Sequence, residues 1–196
     1  MNAQDQALVK AAQKQPEDFY LLYRKYFQDI YNYFWYRVSH DVDVAEDLTQ
    51  DTFLRAFQAL ARYQDFGHSY VTYLLKIAHN VLVNHYRAQR SVPSDTLDMI
   101  PDAIIPDVEE RDRLERLWWA IQDLRPIERD IVYLHYRRGY KLREIASITG
   151  KSENAIKLQL SRARKRLLQD SRITLEVAEQ FQDTSRRPSA PRYKQI

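Results

Sequence analysis

Near the middle of the chain, residues 91–110 read SVPSDTLDMIPDAIIPDVEE and interrupt the helical patterns on either side. Pro93, Pro101 and Pro106 remove backbone donors and bias each preceding residue toward extended backbone, so no regular helix is expected to cross this stretch. The chain is therefore expected to fold as two units, each burying its own core. We assign a first domain to residues 1–90, a flexible acidic linker to 91–112 and a second domain to 113–170. Residues 171–196 are expected to form a partly disordered extension.

Only three glycines occur in 196 residues, with 44% hydrophobic and 29% charged residues. That balance suits helices and leaves little for tight-turned sheets or glycine-rich phosphate cradles, so the expected fold class is all-α. Cysteine is absent, which excludes disulfides, thiolate zinc sites and cysteine nucleophiles. No apolar run approaches the roughly 20 residues of a membrane span, and the amino terminus lacks the apolar stretch of a secretion signal. A cytoplasmic protein without membrane insertion is expected.

Net charge is +3, but its distribution is uneven. Lys and Arg against Asp and Glu number 10 and 10 over residues 1–90, 3 and 8 over 91–116, 12 and 6 over 117–170, and 5 and 3 beyond. A basic second module thus follows an acidic connector.

In the first domain Phe19, Leu22, Tyr23, Tyr26, Phe27, Ile30, Tyr33, Phe34 and Val38 recur at helical spacing and read as core, while Tyr31 and Trp35 lie off that stripe as a candidate partner-facing patch. A second helix is expected to bury Thr49, Phe53, Ala56, Phe57 and Leu60. Its opposite face, with Asp47, Asp51, Leu54, Arg55 and Gln58, is either solvated surface or a dock for a partner helix. The third helix places Tyr70, Leu74, Val81 and Ala88 beside Ile77 on a buried face. Thr72, Lys76, His79, Asn80, Val83, Arg87 and Arg90 then form a polar and cationic stripe, either solvated or touching nucleic acid.

In the second domain Leu114, Leu117, Trp118, Ile121 and Leu124 form a buried helical face, Pro126 suits the first turn of the next helix and Gly139 ends it. Two helical patterns follow, separated by Thr149, Gly150 and Lys151, the length of a helix-turn-helix connection. Ser152 is placed to cap the second of these helices, with Glu153 at the positive end of its dipole. Ile156, Leu160, Ala163 and Leu167 make a narrow buried seam, and Asn154, Leu158, Ser161 and Lys165 point the other way, flanked by Lys157 and Arg162. A membrane-surface helix and a solvated charge run are the alternatives. Major-groove recognition is favoured, because short polar groups near the amino end reach base edges while Arg162, Arg164, Lys165 and Arg166 meet phosphates.

The motifs AEDLTQDTFLRAFQAL and YLLKIAHN in the first domain, and REIASITGKSENAIKLQLSRARKRL in the second, resemble the two conserved regions of the extracytoplasmic-function (ECF) sigma factors. The resemblance covers roughly residues 15–90 and 113–168. It implies an alternative sigma factor that binds core RNA polymerase and directs promoter-specific initiation, with no catalysis, cofactor, metal or small-molecule substrate of its own.

Asp47, Gln50, Asp51 and Leu54 would dock on the clamp helices of the polymerase largest subunit. The loop YQDFGHSY and the helix after it would handle the minus-10 element, with an extruded base near Asn80, Lys76, Arg87 and Arg90 on the backbone, and His79 among the DNA-binding residues. Ser152, Asn154, Lys157, Leu158, Ser161, Arg162 and Lys165 would read the minus-35 duplex. The polymerase flap, promoter DNA and an anti-sigma factor are the implied partners. Tyr73 stands where the family usually has Trp, Leu158 and Gln159 where it has Ser and Arg, and Lys141 where it often has a capping Ser. A helix-turn-helix regulator, or a sigma-like decoy acting without polymerase, is the alternative.

Overall fold

A computed structural model describes residues 3–38, 40–65, 67–89, 116, 117 and 119–171. The expected linker, Arg90, Leu114, Trp118 and almost all of the carboxy-terminal extension lie outside the described residues. The chain divides into two compact units, Met1–Pro101 and Asp102–Ile196, with the division inside the proline-rich stretch. Every regular element among the described residues is helical, and no helix is long and apolar enough to cross a membrane.

The first unit contains α1 (Ala3–Lys14), α2 (Phe19–Trp35), α3 (Val42–Ala59) and α4 (Tyr70–Gln89), with single 3-10 turns at Pro16–Asp18 and Leu60–Arg62. Helices α2, α3 and α4 pack pairwise, and α1 lies against α2 and the second 3-10 turn. Leu22, Ile30, Tyr33, Phe34, Ala56, Tyr70, Leu74 and Ala78 are fully buried where the helices meet. Asp41 begins α3 by accepting a hydrogen bond from the Val44 N–H at 3.0 Å, which satisfies a donor that the helix start leaves over.

The spacing rules hold in outline and fail where a helix has two neighbours. Phe57, expected in the core, is 41% exposed, because α3 turns it to the edge of the α2 contact, against the Phe19 ring at 5.2 Å. Tyr23, Phe27 and Val38 are half-buried rather than buried. On α4 the buried arc centres near Ala78, not Ile77, and includes Leu75 and Leu82. Packing against both α2 and α3 widens that arc until it takes in Thr72 and His79, each 6% exposed, so neither lies on the outward stripe.

The second unit contains helical turns at 119–122, α5 (Pro126–Val132), a π-helical turn Tyr133–Arg137, α6 (Leu142–Thr149) and α7 (Glu153–Gln169). Its core comprises Ala120, Leu124, Ile131, Leu134, Ile145, Ile148 and the α7 seam, while Leu117 and Ile121 are half-buried. Pro126 occupies the first turn of α5 as expected. With Lys141 preceding α6, Glu144 reaches back to its N–H at 2.8 Å and supplies the cap that the lysine cannot. Gly150 ends α6 in the left-handed region at φ 68°, where a Cβ would be strained.

Candidate nucleic-acid interface

Helix α7 is held along one edge and exposed along the other. Ser152 caps it, its Oγ accepting from the Ala155 N–H at 3.3 Å, and the hydroxyl proton is left to donate outward. Ile156, Leu160, Ala163 and Leu167 are buried to 3% exposure or less, as their spacing predicted. Asn154, Lys157, Leu158, Ser161, Arg162 and Lys165 are all exposed, so the structure assembles the complete expected face; Leu158 is 50% exposed, an apolar group among cations.

Two further arginines of α7 are engaged within the unit. Arg164 donates from Nε to the Tyr136 hydroxyl at 2.5 Å, and Arg166 pairs with Glu128 at 2.5 Å, with the carboxylate wholly buried. The same Glu128 oxygen accepts from the Arg125 N–H at 3.3 Å. Both arginines, expected to meet phosphates, also tie α7 to the preceding segment, Arg164 through Tyr136 and Arg166 through Glu128, a buried carboxylate that needs a cation beside it. Arg164 also opposes the effect of burial on the Tyr136 hydroxyl, whose pKa is nonetheless raised.

On α4, Lys76, Asn80 and Arg87 are exposed and Val83 is half-exposed, spaced four, three and four residues apart on one face. Asn84, absent from the sequence expectation, is exposed on the same side; its i+4 spacing from Asn80 was the available signal. His79 is withdrawn from this face by its burial. At the start of α4, Ser69 Oγ lies 2.8 Å from the hydroxyl of the buried Thr72, closing the turn after the loop. In that loop Gln64, Asp65 and His68 are exposed. Asp65 accepts from the Gly67 N–H at 2.8 Å and from Gln6 at 3.1 Å, which hold its carboxyl below the usual range.

On α3, Asp47, Gln50 and Leu54 are exposed and Asp51 is partly so, forming one acidic and apolar face; Leu54 is 55% exposed. Asp51 forms a two-pronged ion pair with Arg55 at 2.8 and 2.9 Å. As an exposed i,i+4 pair it is worth only about 0.3–0.5 kcal/mol and is readily exchanged for another cation. Along α2, Phe27, Tyr31 and Trp35 stack in series at 5.9 and 5.8 Å, and Trp35 continues to His40 at 4.8 Å. Tyr31 and Trp35 are thus half-buried members of a ring ladder rather than a detached patch.

Residues 22–92 match the Sigma-70 region 2 model and residues 114–167 the Sigma-70, region 4 model. The ECF RNA polymerase sigma factor SigC of Mycobacterium tuberculosis is 34% identical over 148 residues, covering 74% of this chain and 78% of that protein. The RNA polymerase sigma factor YlaC of Bacillus subtilis is 31% identical over 158 residues, covering 74% and 87%. The ECF sigma factor BldN of Streptomyces coelicolor is 30% identical over 167 residues, and the match spans 80% of this chain and 61% of that longer protein. The sigma factor RpoE of Bartonella quintana, solved with the anti-sigma factor NepR, superposes with a TM-score of 0.63 over 78% of this chain and 96% of that one. At 22% identity that likeness is one of fold. The two matched regions in this order, the second holding the helix-turn-helix, and the identity to SigC and YlaC place the chain in the ECF family of RNA polymerase sigma factors.

Proposed function

We propose that the protein is an alternative sigma factor that joins core RNA polymerase through Asp47, Gln50, Asp51 and Leu54, binds the opened minus-10 strand and reads the minus-35 duplex. The observation that carries this reading is the outer face of α7. Asn154, Lys157, Leu158, Ser161, Arg162 and Lys165 all face solvent, while the buried seam and the Arg166–Glu128 pair hold the helix to the rest of the unit. A rigid helix with polar groups near its amino end and cations further along suits base edges and phosphates of one major groove. Leu158 offers apolar contact to a thymine methyl.

On the first unit, Lys76, Asn80 and Arg87 are spaced for a single strand, the cations on phosphates and Asn80 beside an extruded base; Arg90 extends the expected set outside the described residues. Strand opening costs a few kcal/mol per unstacked base, so binding at minus-35 by the second unit offsets part of it. The chain breaks no bond; the polymerase supplies the chemistry and its metal ions. A cytoplasmic site of action and control by an anti-sigma factor belong to the same reading, as relatives of this fold are solved with anti-sigma factors.

The test is initiation in vitro. Purified chain added to core polymerase of its own organism should yield defined transcripts, and exchange of Asp51 and Leu54 for Arg and Glu should abolish both transcripts and polymerase association. Transcripts independent of the chain, or association untouched by that exchange, would favour a regulator or decoy acting without polymerase.

A further inference from the structure

Helix α1 touches the loop expected to meet the melted strand, and it does so through polar side chains rather than packing alone. The 3-10 turn after α3 is closed by the Tyr63 N–H donating to the Leu60 carbonyl at 3.1 Å. Gln13 braces both ends of that turn: its Nε2 donates to the Leu60 carbonyl at 3.0 Å and to the Tyr63 carbonyl at 3.0 Å. Both amide protons are thereby used. Tyr63 sits in extended backbone, and its ring is wedged against Tyr73 at 4.6 Å and Tyr70 at 5.4 Å, at the start of α4. Seven residues before Gln13, on the same face of α1, Gln6 donates to the Asp65 carboxylate at 3.1 Å.

The neighbouring face of α1 is anchored. Val9 and Ala12 are buried, and Asp5, 1% exposed, accepts from Lys25 at 2.7 Å and from the Tyr26 hydroxyl at 2.5 Å. The helix is therefore a strut fixed on α2 that reaches the loop at two points. We infer that α1 is a positioning element for strand capture, with Gln13 and Gln6 holding the segment around Tyr63 and Asp65 in the shape that receives the opened minus-10 strand. This rests on the sigma-factor reading above. A loop ordered beforehand loses less conformational freedom on binding than one ordered by its ligand, so the two glutamines act on affinity without touching DNA.

The experiment uses the full chain bound to core polymerase, with a forked DNA probe from a promoter mapped for the wild-type holoenzyme, its non-template minus-10 strand left unpaired. Gln13→Met keeps side-chain length and helix propensity and removes both donors. Alone it should weaken capture of the unpaired strand about threefold, and combined with Gln6→Met about tenfold, each lost glutamine being worth about a factor of three. Polymerase affinity and binding of a minus-35 duplex should stay at wild-type values, a split that general loosening of the first unit would not produce.

Unchanged strand capture in the double variant would overturn this inference and leave the sigma-factor reading standing. Strand and polymerase affinity falling together would overturn it as well, by reducing the glutamines to supports of the fold. A wild-type holoenzyme that captures no strand would overturn the underlying reading and this inference with it.

Discussion

Arg162 and Arg166 lie one helical turn apart and carry the same charge, yet they do different work. Arg166 compensates a carboxylate that is wholly buried, whose second oxygen has no hydrogen-bond partner. Removing a cation from beside such a group leaves an uncompensated charge, so Arg166→Ala should cost about 3 kcal/mol of stability in denaturant unfolding of the full chain. Arg162 and Lys165 face solvent, and replacing both with Ala should leave that unfolding curve within about 0.5 kcal/mol. The same double replacement should instead flatten the salt dependence of duplex binding by about 0.9 in log–log slope for each phosphate left without its cation. Equal slopes for the double variant and wild type would show that neither side chain neutralises a phosphate. A sequence cannot separate these arginines, because the partner of Arg166 lies 38 positions away.

At the scale of single helices, legibility depended on the number of neighbours. The α7 seam was readable because one narrow edge is buried, and its four, three, four spacing has one solution. The α4 face was not, since burial from two sides leaves a broad arc whose centre the spacing does not mark; His79 and Thr72 were misassigned for that reason. Phe57 failed similarly at the rim of α3. The glycine between α6 and α7 was legible as a turn, and its positive φ supplies the reason. Gly150→Ala should therefore destabilise the second unit by about 1 kcal/mol, read from thermal unfolding, although no atom lies within 4 Å of the added Cβ. Leu160→Ala removes a seam residue and should cost about 2–5 kcal/mol in the same measurement.

For the molecule as a whole, a net charge of +3 conceals a neutral first module, an acidic connector and a basic second module. The first unit also carries an alkaline limit to its stability. Burial, with Asp65 nearby, pushes the Tyr63 hydroxyl up to about 12 from the ordinary 10.0, and burial raises Tyr70 as well. Since the fold favours the protonated phenol, this contribution is complete below pH 10 and is lost as pH rises from 10 toward 12. Helical circular dichroism should accordingly decline over that window together with a rise in phenolate absorbance, whereas phenolate absorbance that rises with helicity intact would show these hydroxyls to be uncoupled from folding.

By itself the sequence determined the helical class, the break at the prolines, the helix-turn-helix and the exposed polar and cationic face of α7, because each follows from residues within a few turns of one another. Only the tertiary structure decided which cations face outward, how much of α4 is hidden, and that Gln13 and Gln6 reach the loop after α3. Those outcomes depend on partners tens of positions away in the chain, and local periodicity carries no record of them.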